Sequence, residues 1–366
     1  TDIIGVLKEI RLVPGMRVET TNSNGRPRVK IRVRGDASLN ASSEPLWIVD
    51  GVPIYTGSKT GQITGTSYDV SPMSMINPDD IESITVLKDA ATTTLYGADG
   101  SNGVILVTTK SGSSDKTRIN VSVRSGVSRV DRTTLLRVCT TEQWWDLATE
   151  AWLNSGRPIE AFPYQDNEHN SYSTTDTDWY DVYYGLGNDR QVNFSASGGS
   201  RNMSNYLSIS YYGNNSTVKG NEQNRYTIRN KSGYRFSDRL SIDFTVAGGY
   251  NVNDVFSLTS SYYKVLPIFS PYDEDGVTPR LYNYYSLSDT EYNPVQRKFV
   301  YNYVPERDLS DNRQSTVTGD ANSQIQWKPL NGLSLTSTVG VSAISIYEGI
   351  YEHSQTLDGI YDTGMN

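Results

Sequence analysis

The chain has few of the residues from which most enzyme and metal sites are built. Its 366 residues include one cysteine and two histidines. Cys139 has no partner for an internal disulfide, and His169 and His353 lie in separate predicted loops without a Cys/His/Asp grouping at metal-ligand spacing. No G-x-S-x-G nucleophile elbow is present. We therefore predict no catalytic residues, no metal site and no cofactor.

The chain also lacks a long apolar run and an excess of positive charge. Without about 18 consecutive apolar residues it is predicted to have no transmembrane helix, which leaves a β-barrel open because barrel strands are short and alternating. The net charge of −8 argues against a nucleic-acid partner. Since the sequence starts without methionine or a signal peptide, we expect a fragment or a processed product.

The first 110 residues have the pattern of a small α/β domain. VKIRVRG, PLWIVDG and IESITVLK have the composition of strands, and GVILVTTK is an apolar run that suits a strand buried on both faces. Between the last two, Asp89 is predicted to cap a short helix that Gly97 closes.

After residue 115 the pattern changes to strict alternation of apolar and polar residues. Each such segment has one apolar face and one face of Ser, Thr, Asn and charge, as lipid-facing barrel strands do. The high tyrosine content, 26 against 7 Phe and 6 Trp, suits an interfacial girdle better than a dry core. The predicted strands cover residues 117–127, 190–198, 205–213, 224–236, 240–250, 318–328 and 333–347.

The connections between these seven segments alternate between long and short. Outer-membrane barrels do this because one rim carries turns and the other carries large external loops. We predict periplasmic turns in SGGSRNMSN, Ser237–Arg239 and Pro329–Gly332, and extracellular loops at about 128–189, 214–223 and 251–317.

Three motifs carry a family resemblance: IRVRGDASLNASSEPLWIVDGVPI, INPDDIESITVLKDA and LYGADGSNGVILVTTK. In this order and spacing they resemble the plug domain of SusC-like TonB-dependent outer-membrane transporters. The resemblance implies a plug at residues 1–112 and the first part of a barrel at 113–366. The motif residues assigned to the plug, with a structural role, are Asp50, Gly51, Pro53, Asp80, Glu82, Lys88, Asp89, Tyr96, Gly97 and Gly103.

The fold expected from this resemblance is a partial membrane β-barrel with an N-terminal α/β plug in its lumen. Seven antiparallel strands cannot close a barrel, and plugged transporters use about 22 strands, so the rest of the wall must come from elsewhere. Arg32 and Arg34 are predicted to form salt bridges between plug and wall, with a role in a substrate channel as the alternative.

The resemblance also implies a function and partners. It implies uptake of a large nutrient, an oligosaccharide or a peptide, across the outer membrane, with a SusD-like lipoprotein lid and with TonB acting on a segment upstream of Thr1. The alternatives are a binding and signalling receptor, or a secreted all-β adhesin or carbohydrate-binding module.

An amphipathic helix is predicted over residues 141–156, and tyrosine-rich segments follow in the third loop. Aromatic faces stack on sugar rings and also suit protein interfaces. The residues proposed for ligand or lid contact are Trp144, Trp145, Tyr262, Tyr263, Tyr284 and Tyr285.

Overall fold

We describe the chain from a computed structural model. The described residues are 17–23, 26–33, 45–54, 76–89, 93–112, 116–166, 171–256, 265–280, 282–284, 299–354 and 356.

The N-terminal unit is a small mixed sheet with one apolar core. Its strand order is β4-β3-β6-β5, with β3 parallel to β6 and the other pairs antiparallel. The core contains Trp47, Val49, Ile105 and Val107, joined by Val33 and Ile76 from the flanking segments. The strands of this unit are β3 (Leu46–Val49), β4 (Val52–Ile54), β5 (Ile81–Leu87) and β6 (Val104–Thr109), and a separate hairpin is formed by β1 (Arg17–Ser23) and β2 (Arg26–Arg32).

Strand β6 confirms the prediction of a strand buried on both faces. Val104 and Ile105 have no exposed surface, and Val107 is 2% exposed. Consecutive side chains of a strand point to opposite faces, so burial of Val104 together with Ile105 requires cover on both sides of the sheet.

The helical segment before β6 differs from its prediction. A 3-10 helix spans Thr94–Asn102 and continues through Gly97, where the backbone is kinked at φ 63°. The segment ends at Gly103 (φ 96°), so the prediction that Gly97 closes it was wrong. Gly103 is required because a Cβ there would lie 2.7 Å from Val33 Cγ1, in addition to its positive φ.

The remaining described strands form a seven-stranded sheet and a short hairpin. The seven strands pair with their neighbours in the order β15-β14-β11-β10-β9-β8-β7, always antiparallel. This confirms the seven predicted segments, although most observed strands are longer. The strands are β7 (Arg118–Ser128), β8 (Gly187–Ser200), β9 (Met203–Asn215), β10 (Glu222–Ser237), β11 (Leu240–Asp254), β14 (Asp311–Leu330) and β15 (Leu333–Tyr351), and the hairpin is β12 (Tyr282–Tyr284) with β13 (Phe299–Tyr301).

The two faces of this sheet, which we call the wall, have different chemistry. Its outer face presents exposed apolar side chains, including Val192, Ile209 and Ile228. The alternate positions on the inner face carry polar side chains that are almost fully buried, such as Asn193 and Thr227. The wall is therefore apolar outside and polar inside, as the alternation predicted.

The connections at the two ends of the wall differ in length. β8–β9, β10–β11 and β14–β15 are joined by tight turns, which define the short-turn rim. The other end, the long-connection rim, carries three helices. These are α1 (Thr141–Asn154), α2 (Trp179–Tyr183) and α3 (Val304–Leu309). In the part of the chain that the structure describes, no helix is long and apolar enough to cross a bilayer.

Aromatic side chains mark two levels on the outer face. Tyr211, Tyr226 and Tyr250 lie in one register row near the long-connection rim. Near the short-turn rim, Trp327 lies opposite Leu240. The stretch of β11 from Leu240 to Tyr250 rises about 25 Å along a barrel axis at roughly 3.3 Å per residue and a strand tilt of about 40°, which is the height of a lipid-facing band.

Two substitutions on the outer face test this assignment. Val246→Arg places a charge between the two aromatic levels, and Val252→Arg places the same charge beyond the tyrosine row. We expect the first to lower the free energy of unfolding in bilayers by about 2–4 kcal/mol and the second by about 0–1 kcal/mol. Urea unfolding of the full-length protein in lipid vesicles measures both, and equal losses would contradict a bilayer at this height.

Candidate functional site at the plug–wall interface

Asp50 lies at the tip of the β3–β4 hairpin, in the left-handed region of the backbone. Asp50 has φ 47° and Gly51 has φ 85°, the two positive values that a tight type I′ turn requires. The turn directs the Asp50 carboxylate back onto β6, where it accepts hydrogen bonds from the Thr109 amide (3.0 Å) and hydroxyl (2.5 Å). The sequence pair Asp-Gly thus fixes both the turn and the orientation of a buried carboxylate.

Two cations from the wall face this carboxylate. Lys231 Nζ on β10 lies 3.1 Å from Asp50 Oδ1, and Arg229 Nη1 lies 3.8 Å from Asp50 Oδ2. The side chain of Asp50 is only 6% exposed and that of Arg229 is 8% exposed. Because charges removed from water need both pairing and hydrogen bonds, this cluster is a specific attachment point between the N-terminal unit and the wall.

A second attachment point is the short 3-10 helix Pro78–Asp80 in the motif NPDD. Asn77 caps this helix by accepting a hydrogen bond from the Asp79 amide at 3.1 Å. Asp80 then lies against β9, where it accepts hydrogen bonds from Tyr206 Oη (2.9 Å) and Ser208 Oγ (2.8 Å). Burial raises the pKa of Asp80, and these two hydrogen bonds partly oppose the shift.

The neighbours of Asp80 in this motif reach two further strands. Asp79 accepts hydrogen bonds from Arg124 Nη2 on β7 (3.2 Å) and from Asn193 Nδ2 on β8. Asn77 Nδ2 donates to Asn193 Oδ1 at 3.3 Å. Together, the two attachment points connect the N-terminal unit to four consecutive strands, β7 to β10.

These motifs and this architecture match known proteins. Residues 6–104 match the family model of the TonB-dependent Receptor Plug Domain. The TonB-dependent receptor SusC of Bacteroides thetaiotaomicron is 32% identical over 229 residues, which cover 62% of this chain and 21% of that protein. TonB-dependent receptor P3 of Formosa agariphila is 29% identical over 359 residues, covering 94% of this chain and 31% of P3.

The chain belongs to the SusC-like TonB-dependent receptors. The solved structure of the RagAB peptide transporter has the same fold, with a TM-score of 0.71 at 22% identity over 92% of this chain and 38% of that one. This chain spans between 21% and 31% of the length of the curated relatives it matches. The N-terminal unit is the plug of an outer-membrane receptor, and the wall is part of its barrel.

The structure places the predicted plug residues in different surroundings. Asp50 and Asp80 contact the wall, and Gly51 lies 3.8 Å, measured from an added Cβ, from Thr338 on β15. Glu82 and Lys88, in contrast, have exposed side chains at β5. The others lie on the plug surface or in its turns: Pro53, Asp89, Tyr96, Gly97 and Gly103.

Sequence reasoning missed the wall side of the interface. It assigned the plug–wall salt bridges to Arg32 and Arg34, of which Arg34 and the side chain of Arg32 lie outside the described residues. In the observed ion pairs the plug supplies the carboxylates and the wall supplies Arg229, Lys231 and Arg124. The available signal was the pair of cations on the polar face of segment 224–236, which a water-filled lumen alone would not require.

The long connections pack into an aromatic cluster of their own, which we call the rim module. Trp179 Nε1 donates to the carbonyl of Leu266 (3.0 Å), and the Tyr303 amide donates to Tyr183 Oη (3.1 Å). Burial raises the pKa of Tyr183 far above its ordinary value. The buried members of the module are Tyr172, Trp179, Tyr183, Val218, Phe256, Ile268, Phe269 and Val304.

The residues proposed for ligand or lid contact lie on the rim module or outside the described residues. The predicted amphipathic helix is present as α1, and its Trp144 and Trp145 pack against this cluster. The Trp144 and Tyr164 rings meet edge to face, with centroids 5.0 Å apart. Tyr284 lies in β12, and Tyr262, Tyr263 and Tyr285 are outside the described residues. Ligand contact by these side chains stays a prediction.

The Asp50 cluster gives the first test of the interface. Asp50→Asn removes the counter-charge and leaves Lys231 and Arg229 buried beside a neutral amide. We expect the free energy of plug unfolding to fall by about 3–5 kcal/mol, the cost of breaking a buried pair. Native-state proteolysis of the plug in the full-length protein measures it.

Glu82→Gln is the matched control, because it neutralises an exposed carboxylate of the same unit. The double variant D50N/K231M should recover part of the loss, since it also removes one of the unpaired cations. An Asp50→Asn variant as stable as the Glu82→Gln control would show that the cluster does not hold the plug.

The buried carboxylate of Asp80 gives a dependence on pH. Its pKa is raised by burial in the seated plug, so its favourable contribution is complete below the unfolded value near 3.8 and is lost as the pH rises through the folded pKa. We expect plug stability to fall more steeply over this range in the wild-type protein than in Asp80→Asn. Plug unfolding measured at a series of pH values from about 3.8 upward tests this, and parallel curves for the two proteins would contradict it.

Proposed function

We propose that this chain forms the plug and the adjoining wall of an importer that carries large nutrients through the outer membrane. The observation that supports it is the position of a separately folded domain against the polar inner face of a lipid-facing wall. A domain held there by polar contacts blocks the lumen and can be displaced without unpairing any wall strand.

The energy source in this proposal is TonB, since the matched family model and relatives are described as TonB-dependent. In this view TonB acts on a segment upstream of Thr1 and displaces the plug. The interface is suited to reversible displacement, because each attachment point exchanges polar contacts with the wall for contacts with water. We assign no enzymatic step to the chain.

The cargo class that we propose is an oligosaccharide or a peptide, under a SusD-like lipoprotein lid at the long-connection rim. Support comes from the relatives, one of which is the receptor SusC, while the fold is shared with a peptide transporter. Trp144 and Trp145 are the described candidates for contact with cargo or lid. The long-connection rim faces the exterior in this proposal.

Uptake in cells tests the proposal. Cells that produce the full-length protein are given two fluorescent probes, a mixture of neutral oligosaccharides and a mixture of short peptides. We expect one class to accumulate only when both the receptor and TonB are present. The controls are strains that lack either protein, and the class that enters identifies the cargo.

Two results would contradict the proposal. One is that neither probe class enters above the level of the strain without the receptor. The other is that uptake is the same with and without TonB, which would indicate a passive pore. Asp50→Asn and Glu82→Gln can be compared in the same assay, since only the first alters the plug–wall interface.

A further inference from the structure

Two wall residues that bind the plug belong to a single register row. Tyr206, which donates to Asp80, lies opposite Lys231, which donates to Asp50. Across β11 and β14 the same row continues through Thr245 and Asn322 to Gly340 on β15. Gly340 is therefore at the height of the wall where the plug is attached.

Gly340 directly faces a side chain of the plug. A Cβ added at this glycine would lie 2.6 Å from Val52 Cγ2, 2.7 Å from Cγ1 and 3.2 Å from Cβ. The first two separations are shorter than real Cβ contacts reach, so Val52 or the strand would have to move. The side chain of Val52 thus occupies the space that any other residue at position 340 would fill.

Val52 has little freedom to move away. A β-branched side chain has few allowed rotamers. Its backbone is fixed by pairing with Val49 in the hairpin, and Asp50, two residues earlier, is held by Thr109 and Lys231. A side chain at position 340 would therefore displace the hairpin tip as a whole.

The backbone itself does not require a glycine at position 340, since Gly340 is not among the glycines with positive φ. Gly319, on the neighbouring strand β14, shares this ordinary backbone, and an added Cβ there meets nothing within 4 Å. The difference between these two wall glycines is the plug side chain that faces Gly340.

We propose that Gly340 is a positioning residue whose missing side chain seats Val52 and so sets the resting position of the plug tip. At the β10 side the tip is held by charge, and at the β15 side it is held by fit. Close contact at both sides seals this part of the lumen against small ions, whose passage needs only a narrow gap. The proposal depends on the plug lying inside the barrel and not on the identity of the cargo.

Ion conductance tests the seat. The full-length protein is reconstituted in planar lipid bilayers, and the current carried by KCl is recorded. We expect Gly340→Val to raise the resting conductance several-fold above the wild-type level, and Gly319→Val to leave it unchanged. The exchange V52G/G340V restores the pair of one valine and one glycine, and should return the conductance towards the wild-type level.

Two outcomes would overturn the proposal: a Gly340→Val protein that is inserted and folded but conducts no more than Gly319→Val, or an exchange variant that leaks as much as Gly340→Val. If Gly340→Val does not assemble, Gly340→Ala and V52A/G340A provide the same comparison with a smaller clash. Nutrient uptake plays no part in this readout, so failure of the import proposal would leave the result interpretable.

Discussion

The rest of the structure depends on one constraint, which is that backbone N–H and C=O groups in lipid must be bonded within the protein. Seven strands paired along almost their whole length satisfy it between neighbours. The pairing forces side chains to alternate between lipid and lumen, so an apolar outer face implies a polar inner one. A domain that fills such a lumen cannot be held by apolar area and must be held by hydrogen bonds and charge, as Asp50 and Asp80 show.

The two carboxylates solve this problem in different ways. Asp50 is surrounded by an amide, a hydroxyl and two cations, which keep it charged and fix its position. Asp80 receives its hydrogen bonds from two hydroxyls, whose hydrogens can rotate and whose oxygens can also accept. The first contact therefore suits a fixed attachment, whereas the second tolerates both protonation states of its carboxyl group.

Local periodicity was sufficient to predict the wall, since each strand and turn leaves its own pattern in the sequence. The seven strands, helix α1 and the buried strand β6 were predicted because each follows from residues close together in the chain. The pairs Asp50–Lys231 and Val52–Gly340 were not, because nothing in either segment specifies a partner so distant in sequence. The end of the helical segment at Gly103 was missed for the same reason, since Val33 decides it.

The described residues contain two apolar clusters with no shared member. One is the core of the plug and the other is the rim module, and the polar inner face of the wall lies between them. Moving one cluster relative to the other therefore exposes no common apolar core, and the cost is limited to the polar contacts at each attachment. A plug of this kind can leave its seat while the rim module and the lipid-facing strands keep their packing, which is the mechanical requirement of a gated pore.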